Sequence, residues 1–159
     1  MMKEVVDFLC ENRDKHIFVI GHDSMLPLGD ELVALLVYNG FKSFSLNNIY
    51  TLAHFNYPFG YYQQIYTLAE KDDILIILSP HGVSKSLVQA CHAATAKELK
   101  TIVFVGEKGG LFKRYQTNLN IFKLIHLKEP IELMYVPYEL AEMIPKEELT
   151  NEQQMPPSE

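Results

Sequence analysis

Five short apolar runs, each leading into a polar turn and four of them on into a stretch with helical spacing, organise the chain. His16-Ile17-Phe18-Val19-Ile20 reads as a buried strand ending at Gly21. Met25 to Tyr38 follows, with Leu28, Leu32, Leu35 and Leu36 spaced for one helical face, and Asn39-Gly40 stops it with a left-handed cap. Ser43 to Leu46 is a short second strand, Asn47 to Tyr61 is irregular and rich in aromatics and Asn, and Tyr62 to Ala69 is a short helix. Ile74-Leu75-Ile76-Ile77-Leu78 is apolar at every position, as the centre of a parallel sheet covered on both faces requires. Ser84 to Lys97 presents Leu87, Val88, Cys91 and Ala94 on one helical face, and Thr101 to Val105 is the next central strand. After the turn Gly106 to Gly110 comes a short helix or loop to Thr117, then a strand at Ile121 to Ile125. A helix over Pro130 to Ile144 closes the pattern, with Pro tolerated in its first turn.

Strands alternating with helices imply right-handed crossovers and a parallel sheet. The expected fold is an α/β three-layer sandwich: five parallel strands in the flavodoxin-like order 2-1-3-4-5, with helices on both faces. Residues 1–144 form one domain on this reading. The Lys-, Glu-, Gln- and Pro-rich segment 145–159 buries too little apolar surface to offset its ordering entropy and is expected to be disordered.

Composition narrows the function classes. The chain has 159 residues, 48% of them hydrophobic, enough for one sizeable core. A formal net charge of -6 and the lack of any basic run argue against nucleic-acid partners. No apolar run reaches membrane-spanning length, and Met1 to Asn12 carries Lys3, Glu4, Asp7 and Glu11 where a secretory signal needs a continuous apolar centre. Cys10 and Cys91 both sit in apolar helical patterns, so reduced, packed thiols and a cytoplasmic location are expected. Any anionic ligand must be held by local donors.

In the expected topology the first and third strands are neighbours whose helices leave on opposite faces, and the crevice they open is where open α/β sheets bind ligands. Two polar loops meet there: Gly21-His22-Asp23-Ser24 and Ser79-Pro80-His81-Gly82-Val83-Ser84. Each opens a helix, whose free N–H groups suit a phosphate. Ser24 and Ser84 are placed as helix caps or phosphate donors, and Gly82 lets the backbone approach a ligand.

The segment Asp72 to Ser84, continuing through Leu87-Val88-Gln89-Ala90, resembles the sugar isomerase (SIS) family: an acid-rich turn, an apolar strand, Ser-x-Ser-Gly-x-Ser, then a helix. Glu98 to Gly106 resembles the family's next strand, and Gly21 to Ser24 its first Ser-containing turn. The similarity covers roughly residues 16 to 126, with the phosphoheptose isomerase branch closest. It implies a sugar-phosphate ligand bound by the hydroxyls of Ser24, Ser79 and Ser84, to which His81 and Gly82 of the same loop are added as binding residues, and a homodimer or homotetramer. His81 stands at the family's middle Ser, Pro80 at its usual Thr or Asn, and Val83 at a common Asn. Pro80 removes a backbone donor, and His81 replaces a hydroxyl with a ring N–H.

Aldose–ketose isomerisation needs a general base and a group that stabilises the enediolate. The branch that this chain resembles uses a His and a Glu on the helix after the first strand, a Gln and a His near the last helix, and often zinc. Here those places offer Asp30, Glu31, Glu132 and Tyr135, so the set is not reproduced and neither a metal nor another cofactor is expected. Glu31 is the best-placed carboxylate base, and His22 with His81 form a second acid–base constellation near neutral pH. His54 is a further residue that can reach the crevice. The rival reading is a non-catalytic regulatory or scaffold protein working through oligomer surfaces and a protein partner, favoured by Tyr57, Phe59, Tyr61, Tyr62 and Tyr66. A third reading is a different flavodoxin-like protein, such as a flavin or nucleotide binder; no Gly-x-Gly-x-x-Gly follows a strand, which counts against a dinucleotide.

Overall fold

The apolar runs assemble into one five-stranded parallel sheet in the order β2-β1-β3-β4-β5. The strands are β1 (His16–Gly21), β2 (Lys42–Ser45), β3 (Ile74–Ser79), β4 (Lys100–Val105) and β5 (Ile121–His126). The helices are α1 (Met2–Glu11), α2 (Leu26–Tyr38), α3 (Ile49–His54), α4 (Gly60–Leu68), α5 (Lys85–Ala96), α6 (Gly110–Tyr115) and α7 (Val136–Met143). This computed structural model describes residues 1–55, 58–82, 84–106, 110–115 and 118–146. Most of the segment expected to be a disordered tail, and Tyr57 and Val83, lie outside them.

Alternation along each strand sends side chains to two cores. Ile17, Val19, Ile74, Ile76, Leu78, Ile102 and Phe104 pack with Leu9, Leu32, Leu36 and Leu140, so α1, α2 and α7 cover one face. Phe18, Ile20, Leu75, Ile77, Val103 and Val105 pack with Ile65, Leu87, Ala90, Cys91 and Phe112, so α4, α5 and α6 cover the other. β3 is buried along its whole length, because it has a strand on each side and helices above and below. The three-layer α/β expectation and its strand order hold.

Asp73 ties the entry to β1 to the turn before β3. The residue is 2% exposed, and its carboxylate accepts the backbone N–H groups of Glu70 at 2.8 Å and His16 at 3.0 Å. The acid-rich turn is thus partly a structural clasp: a buried carboxylate needs such donors.

The last helix differs from expectation. Pro130–Tyr135 is a 3-10 helix, and only Val136–Met143 is α-helical. Pro137 is the reason: it has no N–H to donate and its ring crowds the carbonyl of residue i−4, here Leu133, so a continuous α-helix breaks there. Helix α2 likewise starts at Leu26, after a 3-10 turn at Asp23–Met25, with Pro27 in its first turn. Part of the stretch read as irregular, Ile49–His54, forms α3.

Cys10 packs against one core and Cys91 lies within the other, so the sheet separates them and both are free thiols. Burial pushes the Cys91 thiol up to about 12, which leaves almost no thiolate at neutral pH. Iodoacetamide at pH 8 should therefore label half-buried Cys10 in the native protein and Cys91 only after denaturation. Equal labelling of both in mass spectrometry would contradict this packing.

Candidate functional site

The C-terminal ends of β1 and β3 lie side by side, with Gly21 paired to Leu78. α2 leaves β1 toward one face and α5 leaves β3 toward the other. A cleft of about 380 Å³ opens beside this switch point. His22 and Ser86 form its polar wall, and Leu52, Phe55, Pro58 and Tyr61 from the α3–α4 region close it.

The loop after β1 is held by backbone. The His22 N–H donates to the Leu78 carbonyl at 3.0 Å, and the Met25 N–H donates to the His22 carbonyl at 3.0 Å. A Cβ on Gly21 would lie 2.0 Å from the Met25 oxygen and 2.9 Å from the Gly29 nitrogen, so glycine alone permits this approach of β1 to α2. Asn47 completes the strand end. Oriented with its amide oxygen on the Gly21 N–H (3.1 Å), its nitrogen donates to the Gly21 carbonyl (3.2 Å) and the Tyr61 phenol (3.3 Å). The side chain thus acts as one more rung beside β1, where β2 has already ended. Burial raises the Tyr61 phenol to about 12, so it stays protonated and can donate to a ligand in the cleft it lines.

The loop after β3 is shaped by its serines. Ser79 is 1% exposed, and its Oγ accepts the Gly82 N–H at 2.9 Å. Gly82 takes φ +63°, a left-handed conformation that costs glycine nothing. Ser84 is the N-cap of α5: its Oγ accepts the Ser86 N–H at 3.2 Å, leaving the hydroxyl proton free to donate outward. Gly110, at the start of α6, presses on the same loop, since a Cβ there would lie 2.4 Å from the His81 oxygen and 2.5 Å from the Gly82 oxygen.

The expected site residues therefore separate. His22 lines the cleft, and Ser84 caps the helix whose first turn supplies Ser86 to it. Ser79 lies beneath the loop as an internal brace. His81 is exposed on the loop, and the described lining of the cleft contains His22 without it. Ser24 is exposed within the 3-10 turn and does not cap α2, which has no side-chain cap, because the helix begins two residues later at Leu26. Glu31 is half-buried on α2, outside the described lining. Its neighbour Asp30 accepts a hydrogen bond from Ser45 at 2.7 Å. His54 is exposed, with its ring against Phe55. The side chain of Asp23 lies outside the description, and among the described residues no three His, Cys, Asp or Glu side chains gather as a metal site.

Sequence reading missed Ser86, Tyr61 and Asn47 as site residues. The signal for Ser86 was its place two residues after the cap. Tyr61 had been assigned to an interface by its aromatic neighbours. Nothing local marks Asn47.

This architecture has relatives of known structure. A phosphoheptose isomerase from Francisella tularensis superposes with a TM-score of 0.79 at 18% identity, covering 90% of this chain and 83% of that one. One from Neisseria gonorrhoeae gives 0.75 at 15% identity, with the same coverage of both chains. The Vibrio vulnificus NanR protein, solved with ManNAc-6P, gives 0.68 at 12% identity, covering 90% of this chain and 52% of that one. In sequence, 56 residues are 38% identical to a phosphoheptose isomerase of Glaesserella parasuis. That match spans 35% of this chain and 29% of the relative. No family model matches the chain. With its sheet order and its switch-point loops, the chain has the five-stranded parallel α/β fold of these phosphoheptose isomerases.

Proposed function

We propose that the chain binds a phosphorylated sugar at the ends of β1 and β3. One observation carries this reading: the Ser84-capped first turn of α5 opens, through Ser86, onto the cleft that His22 lines. A helix N-terminus with a hydroxyl proton to spare suits a phosphate without Lys or Arg. The Tyr61 phenol, held protonated, suits the sugar hydroxyls. The fold's likeness to phosphoheptose isomerases, and to a protein solved with an N-acetylhexosamine phosphate, supports this ligand class.

Among the cleft-lining side chains, His22 is the group whose ordinary pKa suits proton transfer near neutral pH. An isomerase reading of the site therefore rests on His22 more than on Glu31 or His81. We place the protein in the cytoplasm as a homo-oligomer. Among the described residues no helix is long and apolar enough to cross a membrane. Exposed Phe59 and Tyr66, with Tyr62 stacked on Tyr66 at 5.8 Å, offer a surface for a second copy or a protein partner.

A thermal-shift screen of heptose, hexosamine and pentose phosphates, each beside its unphosphorylated sugar, tests the ligand class. A shift requiring the phosphate is expected, because a ligand that binds only the folded state raises the midpoint by mass action. The ligand found then enters an assay of aldose–ketose interconversion. Ser84→Ala should weaken its binding by about 1–3 kcal/mol, the value of a hydrogen bond to a charged group plus the donor left unmet. Ser79→Ala should weaken it too, by releasing the Gly82 N–H and the loop shape. Unchanged affinity in both variants would remove this loop from the site. No shift at millimolar ligand would favour the scaffold reading.

A further inference from the structure

The side of α5 turned away from the sheet carries Lys85, Val88, Gln89 and His92, spaced i, i+3, i+4 and i+7, so they form one stripe. That stripe is one wall of a second cavity, about 440 Å³, whose opposite wall is Asn118 and Leu119, before β5. Pro58 lines both this groove and the switch-point cleft. Ser86 faces the cleft and its neighbour Lys85 faces the groove. Pro58 and the adjacent pair Lys85 and Ser86 thus place the two cavities side by side at the first turn of α5.

The groove's chemistry differs from the cleft's. Lys85 places a cation beside the helix N-terminus, and among the described residues no carboxylate pairs with it. Val88 supplies an apolar wall, Leu119 beneath it being buried in the core, and the amides of Gln89 and Asn118 offer paired donors and acceptors. His92 adds a flat ring about 10 Å along the helix axis from Lys85, seven residues at 1.5 Å each. A monosaccharide phosphate fills one cavity of this size, and a ligand reaching into both must be longer. Phosphate against Lys85, a planar heterocycle against Val88 and the His92 ring, and edge recognition by two amides are the requirements of a nucleotide. The missing Gly-x-Gly-x-x-Gly bears on a dinucleotide in the crevice and leaves this helix face open.

We propose that the trough over α5 takes a nucleotide-linked sugar, with the sugar in the cleft, the phosphates at Ser84 and Lys85, and the base in the groove along Val88, Gln89 and His92. This rests on the sugar-phosphate reading of the cleft. Calorimetry on the full chain with ADP-glucose, UDP-glucose and GDP-mannose, beside glucose 1-phosphate, mannose 1-phosphate and the free nucleoside diphosphates, tests it. At least one nucleotide-linked sugar should bind about tenfold tighter than its sugar phosphate. A Gln89→Ala/His92→Ala double variant should remove that advantage and leave sugar-phosphate affinity unchanged. Its unliganded thermal midpoint confirms folding, since His92 is exposed and Gln89 partly so. Equal affinities for both ligand types, or an advantage that survives the double variant, would overturn the groove assignment and leave the cleft reading intact. Binding of free nucleoside diphosphates with no response to any sugar phosphate would overturn the cleft reading, and with it the sugar half of this proposal.

Discussion

Gly21→Ala should destabilise the protein by about 3 kcal/mol or more, at the upper end of what overpacking costs. In a chain of this length that lowers the thermal midpoint by roughly 6–12 °C. The three atoms nearest the added methyl are all backbone: the Met25 oxygen at 2.0 Å, the Met25 carbon at 2.8 Å and the Gly29 nitrogen at 2.9 Å. A rotamer change cannot relieve such contacts. β1 and α2 must separate, which also pulls on the His22 N–H bond to Leu78. Because His22 sits in that loop, ligand binding should fall together with stability. Urea unfolding followed by far-UV circular dichroism measures the first effect, and calorimetry with the ligand measures the second. A wild-type urea midpoint would mean that β1 and α2 do not approach this closely.

Gly110→Ala should act on the other loop. Gly110 has φ +48°, a region that disfavours side chains, and its Cβ would meet the His81 and Gly82 carbonyls. Strain and overlap together should cost about 2–3 kcal/mol. The ligand effect should be larger in proportion, a tenfold or greater loss of sugar-phosphate affinity, because the displaced segment leads into the Ser84 cap. Gly110→Asn separates the two causes, since Asn tolerates positive φ but still carries a Cβ. Recovery of stability in the Asn variant would assign the cost to backbone strain, and no recovery would assign it to the overlap. Wild-type affinity in both variants would detach α6 from the site.

These predictions rest on contacts that are unequally legible in the sequence. The strands were legible because the sheet buries both its faces, and an unbroken run such as Ile74 to Leu78 has few other uses. Alternation with helices and crossover handedness made the sheet parallel, and the strand order was expected because five such strands fit the flavodoxin-like arrangement. The helix break at Pro137 was present in the sequence but outweighed by apolar spacing, and the structure shows that the missing N–H prevailed. Ser84 was readable as a cap from its position before a helix, a relation within three residues.

The lining of the cleft was only partly readable, because its members come from segments far apart in the chain. His22 and Ser86 are 64 positions apart, and Tyr61 joins them from a helix whose aromatics gave no sign of which would turn inward. The same holds for the histidines: both loops were found, but only the fold decides that His22 lines the cleft while His81 stands exposed on the loop. Asn47 looks like any loop Asn until the end of β2 leaves Gly21 with an N–H and a carbonyl to satisfy. Hydrophobic period, proline, glycine and capping act between near neighbours, so the sequence by itself determined the layers, the strand order and the two switch-point loops. Which side chains share a cavity depends on distances across the sheet and between helices, and only the tertiary structure decided that.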